Sequence, residues 1–167
     1  MTRPDYELFD RNTTAVINGY HRRPIQRMLD FDYICQRQKP SVASIVNPAG
    51  AGLHKAFFGT EEILIPIYGS VAEAASEHPE ADVMINFASS RSAFPSTMEA
   101  LDQPTVRTIA VIAEGVPERK ARIIAAVARE REKTIIGPAT VGGIAPGCFR
   151  VGNTGGTIEN IVSAKLN

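Results

Sequence analysis

Glu114-Gly115-Val116-Pro117 follows an apolar, β-branched run and sets one carboxylate between the end of a strand and the start of a helix. A carboxylate there could act as a general acid or base, or simply complement the positive end of the helix dipole. Three other clusters share this setting. Gly19, Tyr20, His21, Arg22, Arg23 and Pro24 put a glycine and three basic or potentially basic side chains in one turn before a helix. Helix amino termini hold phosphate through free N–H groups, so this is either an anion-binding turn or a solvated basic loop. The spacing G-x-G-x-x-G is absent, which disfavours an ordinary NAD site.

Asn47-Pro48-Ala49-Gly50-Ala51-Gly52 offers small residues for close backbone approach, with Lys55 able to reach a phosphate. A dehydrogenase would often place an acid at this strand end for the ribose hydroxyls, and the position offers Asn47. The other reading is a flexible connection capped by a buried Phe57-Phe58 pair. Asn86-Phe87-Ala88-Ser89-Ser90-Arg91-Ser92 brings hydroxyls and a guanidinium to a helix start, suited to a phosphate or an adenine-ribose end. Ser89 or Ser90 could instead be a helix N-cap. Residues 134–156 carry seven glycines and two prolines directly after a short β-branched run. Such a stretch presents backbone rather than side chains. Its first half, around Gly137-Pro138-Ala139-Thr140, is expected to face Glu114, and Gly147 to Gly156 to form a hairpin-like exit.

None of the three histidines stands in a recognisable nucleophilic arrangement with an Asp and a Ser or Cys. Cys35 and Cys148 lack metal-ligand spacing, so reduced structural thiols are expected, and no metal site.

The elements that must position these loops are legible as alternation. Residues 14–19, 41–48, 63–68, 81–88, 106–113 and 134–137 read as strands, most of them apolar on both faces. Residues 24–38, 71–78, 97–101 and 117–133 read as helices, with Pro24 and Pro117 suited to a first turn. Alternation predicts a Rossmann-like, doubly wound α/β fold with a mainly parallel sheet and helices on both faces, its ligand crevice at the carboxyl ends of the strands. The 167 residues suit one domain, with residues 1–12 as an N-terminal extension and 144–167 as exit hairpin and tail. Residues 157–165 are compatible with a final short helix. Eighteen basic residues balance eighteen acidic ones, which argues against a nucleic-acid binder. No apolar stretch approaches the roughly 20 residues of a membrane span, and the first residues lack a signal-peptide core, so a cytoplasmic protein is expected.

Taken together, LDFDYIC (29–35), EEILIPIY (61–68), ADVMINFASSRSAFPSTMEAL (81–101), RTIAVIAEGVPE (107–118) and TIIGPATVGGIAPGCFRVGNTGG (134–156) resemble the ATP-citrate lyase family, specifically the CoA-binding domain in its part related to the succinyl-CoA synthetase α subunit. The strand-end E-G-[IV]-P and I-G-P…G…P-G patterns are similar to the wider nucleoside-diphosphate-forming acyl-CoA synthetases, and FAS-x-RSA and GPATVGGI-x-PGCF to the citrate branch. The resemblance implies ATP-dependent condensation of citrate with coenzyme A to citryl-CoA through a phosphohistidine and citryl phosphate, with cleavage to acetyl-CoA and oxaloacetate in a separate lyase module. It implies that Gly19, Tyr20, His21, Arg22 and Arg23, the loop from Pro48, Ala49 and Gly50 to Gly52, Ser89, Arg91, and Ile112, Ala113 and Glu114 line a coenzyme A site, to which the reading of the loops adds Lys55, Phe87 and Pro138. Glu114 matches the family glutamate that meets the phosphorylated histidine. ATP and Mg would be bound elsewhere in the full enzyme, by an ATP-grasp module, and the partners would be that module, the phosphohistidine module and the lyase module in an oligomer.

The departures matter too. His21, His54 and His78 lack the G-H-A-G-A context of the phosphorylated histidine, no S-R-S-G-G motif occurs, and YHRRP is more basic than the corresponding synthetase loop. The chain is therefore expected to be an isolated or truncated CoA-binding half, inactive alone. The alternative is a non-catalytic docking or regulatory module with an apolar surface near residues 151–166.

Overall fold

The computed structural model describes residues 6–153. Nine strands and four helices follow one another as β1 (Ala15–Asn18), α1 (Arg22–Ile34), β2 (Val42–Val46), β3 (Gly52–Phe58), β4 (Glu61–Tyr68), α2 (Val71–Glu77), β5 (Val83–Asn86), α3 (Ala93–Asp102), β6 (Thr108–Val111), α4 (Glu118–Glu130), β7 (Thr134–Ile136), β8 (Gly143–Ala145) and β9 (Phe149–Val151). Seven strands form one sheet in the order β3-β4-β2-β1-β5-β6-β7, and β8 pairs with β9 in a separate antiparallel hairpin. The pairs from β4 to β7 are parallel and β3 alone runs antiparallel, against β4. This is the Rossmann-like α/β architecture that the alternation predicts.

The central strands are buried on both faces because successive side chains point to opposite sides of the pleat. Ala15 and Ile17 of β1 join Ile45, Val83, Ile85 and Ala110 on one face, under Ile25, Met28 and Leu29 of α1. Val16, Met84, Ile109 and Val111 face the other way, toward Val71 and Ala74 of α2, Ala100 and Leu101 of α3, and Ile124 of α4. Each fully buried aliphatic side chain contributes about 1.5–3 kcal/mol, so both layers are needed to hold the strand ends in place. The sheet winds outward from β1 in both directions. β1 and β5 are neighbours although α1, three strands and α2 separate them in sequence, and their carboxyl ends mark the switch point where such folds open a crevice.

Two elements, β3 and α3, differ from the sequence expectation. β3 occupies a stretch read as a loop. Its inward residues are His54 and Ala56, whereas Leu53 and Phe57 are exposed, so its alternation is inverted relative to a normal half-buried strand. Phe57 is 48% exposed and does not cap anything. Helix α3 begins at Ala93 rather than at 97, because Pro95 falls in its first turn, where backbone N–H groups have no intrahelical partner. The hairpin of β8 and β9 packs into the core, with Phe149 and Val151 buried in the cluster that α1 covers, and the rest of the expected exit beyond Asn153 lies outside the described residues. The N-terminal residues from Tyr6 onward also pack. The Tyr6 hydroxyl donates to the Arg107 carbonyl at 3.0 Å and lies in hydrogen-bond contact with the Thr134 hydroxyl at 2.7 Å, and Phe9 stacks on Phe149 at 5.2 Å. The expected helix at 157–165, and the apolar surface beyond Asn153, lie outside the described residues. No helix of the described residues is long and apolar enough to cross a membrane.

Candidate functional site

The strand-end loops after β1, β5, β6 and β7 meet at one edge of the sheet, and backbone hydrogen bonds extend the parallel ladder by one residue to align them. Gly19 N donates to Val46 O at 3.0 Å, Phe87 N to Asn18 O at 2.8 Å and Ile112 N to Asn86 O at 3.0 Å. Gly19 has φ 103, and a Cβ there would lie 3.2 Å from Phe87 Cβ. The chain therefore turns out of β1 directly against the β5 loop. The His21 ring lies 5.5 Å from the Phe87 ring, and a Cβ on Gly152, after β9, would sit 3.1 Å from Phe87 Cζ. Phe87 is thus a wall bounded by two glycine backbones and an imidazole.

His21 is the N-cap residue of α1 and makes no side-chain cap bond, and the first turn holds no acidic residue. Arg22 and Arg23 are exposed in that turn and have no carboxylate partner among the described residues. Two cations at the positive end of a helix dipole are unfavourable by about 0.3–1 kcal/mol each, and an anion reverses the sign of that interaction. Arg22 is also placed over the Tyr20 ring at 5.5 Å, and the Tyr20 hydroxyl bonds His54 Nδ1 at 3.0 Å. Burial, and then the Arg22 charge, hold the His54 pKa below its ordinary value. His54 therefore favours the neutral form at this contact.

Glu114 is exposed and follows β6. Gly115, at φ 72, would place a Cβ 3.9 Å from Ser90 Cβ, so the Glu114 loop lies against the β5 loop. On its other side, Ala139 N donates to Ala113 O at 3.0 Å and Thr140 N to Val111 O at 3.4 Å. Gly137, at φ 97, has no room for a side chain: a Cβ would lie 2.5 Å from Val111 O. Pro138 and Ala139 are brought beside Ala113 and Glu114, in line with the expectation for this half of the glycine-rich run.

Pro48, Ala49 and Gly50 are exposed after β2 in a turn closed by Asn47, whose Oδ1 accepts Ala49 N–H at 3.2 Å. Two expectations need correcting. Lys55 is not in a strand-end loop. It sits on the outer side of β3 opposite Leu64, with Nζ 2.5 Å from Glu62 Oε2, and β3 carries it away from the carboxyl edge. Neither Ser89 nor Ser90 caps α3: Ser92 is the N-cap residue, and only the Ser89 carbonyl serves the helix, accepting from Ser92 N and Ala93 N. Ser89 and Arg91 are exposed, and Arg91 has no ion-pair partner among the described residues.

Sequence reasoning missed Asn18 and Asn86, which are buried under these loops and bonded to each other at 2.9 Å. Their signal is an asparagine closing each of two apolar strands. It also missed Gly152 as a neighbour of Phe87. An open concavity of the surface, lined by Tyr33, Ile34, Gln38 and Phe58, lies where α1 and β3 end, at the opposite edge from these loops. Among the described residues no group of three His, Cys, Asp or Glu side chains could hold a metal.

Known proteins resemble this chain closely. An ATP citrate lyase from Methanothrix soehngenii, solved with citrate and coenzyme A, superposes with a TM-score of 0.94 at 61% identity, covering 96% of this chain and 26% of that one. The ATP-citrate synthase beta chain protein 1 of Arabidopsis thaliana is 55% identical over 96% of this chain and 26% of its own length. The ATP-citrate synthase of Bos taurus is 53% identical over 95% of this chain and 15% of its own. The chain thus spans about a quarter or less of the length of these relatives. The CoA binding domain family matches residues 10–115. Because that match takes in β1 through β6 and the loops that follow β1, β2, β5 and β6, the chain belongs to the CoA binding domain family.

Proposed function

We propose that the carboxyl edge of the sheet binds coenzyme A, with its phosphates at the first turn of α1 and Arg91 and its reactive end toward Glu114 and Pro138. The observation that carries this reading is the uncapped first turn of α1, which opens beside the β1–β5 switch point with Arg22 and Arg23 exposed and without counter-charges. Gly19 and Gly137 let the strand-end loops pack on Phe87 and on the Val111 carbonyl, where a side chain would not fit, and so hold the donors of this edge together. A polyanionic, extended ligand suits that donor set, and the neighbouring lyase of 61% identity was solved with coenzyme A.

We further propose that the domain serves an ATP-citrate lyase, in which citrate, coenzyme A and ATP yield citryl-CoA and then acetyl-CoA and oxaloacetate. ATP and Mg belong to an ATP-grasp module there, and the phosphohistidine and lyase modules complete the reaction within an oligomer. The domain's own part is to bind and orient coenzyme A and to present Glu114 to the phosphohistidine. Calorimetric titration of the folded chain with coenzyme A and dephospho-CoA tests the binding reading. Saturable binding that weakens with salt is expected, and no heat with either ligand removes autonomous binding.

One feature favours a contact role beside binding: Leu53, Phe57 and Leu64 are 63%, 48% and 58% exposed on the outer β3–β4 hairpin. If contact were the main role, adding the remaining lyase modules would leave coenzyme A unbound.

A further inference from the structure

Asn18 and Asn86 close the neighbouring strands β1 and β5 in parallel register, and both are buried, at 5% and 0% exposure. Buried amides are costly unless every polar atom finds a partner. Here the partners dictate which way the amides point. Asn86 Oδ1 accepts the Ala88 backbone N–H at 3.0 Å, and Asn86 Nδ2 donates toward the Ala93 carbonyl at 3.2 Å, Ser96 Oγ at 2.8 Å and Thr97 Oγ1 at 3.0 Å. A backbone donor on one side and a backbone acceptor on the other leave only one orientation for the Asn86 amide, and Asn18 Nδ2 must then donate to Asn86 Oδ1, at 2.9 Å.

The consequence concerns the loop, since Ala88 and Ala93 are its two ends. One side chain clasps the entry and the exit of the segment that carries Ser89, Ser90 and Arg91, and it fixes the first turn of α3 in the same contact. Asn18 secures that clasp to β1, whose next residue is Gly19, packed on Phe87. The two strand-end loops at the switch point are thereby joined to one another through a pair of buried amides. An apolar pair would fill a similar volume but would remove the hold on Ala88 and Ala93.

We propose that Asn86, supported by Asn18, is a positioning residue that sets the Ala88–Arg91 loop in the geometry that holds the anionic part of the ligand. This rests on the coenzyme A reading of the site. Asn86 touches no ligand in it and acts through the loop.

The test compares coenzyme A with a pantetheine fragment lacking phosphates, titrated calorimetrically on wild type, Asn86→Ala, Asn18→Ala and, as a stability control remote from the loops, Ile124→Ala. Asn86→Ala is expected to weaken coenzyme A by about tenfold or more while pantetheine changes by less than about twofold. Asn18→Ala, which removes a single donation, falls between and serves if Asn86→Ala does not fold. Ile124→Ala is expected to lower the unfolding midpoint without changing either affinity, which separates positioning from loss of stability. Wild-type affinity for coenzyme A in folded Asn86→Ala, or an equal loss of both ligands, overturns the positioning role and leaves the site reading standing. No binding by folded wild type overturns both.

Discussion

Gly19 packs its backbone on Phe87, so that a Cβ on residue 19 would lie 3.2 Å from Phe87 Cβ and 3.3 Å from its carbonyl carbon. This contact joins the β1 and β5 loops at the switch point, and it also requires φ 103, which L side chains rarely adopt. Gly19→Ala is expected to destabilise the fold by about 1–3 kcal/mol and to weaken coenzyme A, because Phe87 or His21 must move. Urea unfolding and calorimetric titration measure the two effects. Unchanged stability would mean that the turn relaxes without strain.

Arg91 is exposed and without an ion-pair partner among the described residues, so its removal should leave stability within about 0.5 kcal/mol. A charge-assisted bond to an anion contributes roughly 1.5–3 kcal/mol. Arg91→Ala is therefore expected to weaken coenzyme A by roughly 10- to 150-fold and pantetheine far less. An equal loss for both ligands refutes a phosphate contact.

Glu114 stands on the exposed β6 loop between Ser90 on one side and Ala139 on the other. In the proposed reading its carboxylate meets the phosphohistidine rather than coenzyme A. Glu114→Gln should preserve coenzyme A affinity in this domain and depress citryl-CoA formation by a full-length lyase that carries it. Normal turnover in that enzyme would remove the proposed role.

Much of this arrangement was legible because burial on both faces writes itself as continuous apolar runs: β1, β5 and β6 each fall inside a predicted strand. The strand-end loops could then be read in order, and Gly19, Phe87, Glu114 and Pro138 do lie at one edge. What failed was legibility at the sheet margin. β3 turns Leu53 and Phe57 outward and His54 inward, so its periodicity points the wrong way, and Lys55 was misplaced with it. The Asn18–Asn86 pair was invisible for another reason. Two asparagines separated by 67 intervening residues become one unit only through the parallel register of β1 and β5, which no local pattern encodes.

Beneath the opposite edge, Asp32 and Arg37 form a buried pair at 3.5 Å, with Asp32 Oδ2 accepting Ser41 N–H at 2.7 Å. Arg37 also donates to the Thr13 carbonyl at 2.7 Å and the Cys148 carbonyl at 2.5 Å, tying the N-terminal segment and the β8–β9 hairpin to the end of α1. Burial pushes the Asp32 carboxyl from 3.8 up to about 6, against the opposing pull of the Ser41 hydrogen bonding and the Arg37 charge. The folded state thus takes up this proton more readily than the unfolded chain does. Its stabilising contribution is complete below about pH 4 and is lost as pH rises through about 6, where the total loss approaches about 3 kcal/mol. Asp32→Asn keeps an acceptor for Ser41 N–H and removes the titration. The unfolding free energy of wild type relative to this variant should therefore fall between about pH 4 and pH 7, while groups shared by both proteins, His54 among them, cancel in the difference. A series of urea unfolding curves across that range reads it directly, and a difference independent of pH would show that Arg37 holds the carboxylate ionised throughout.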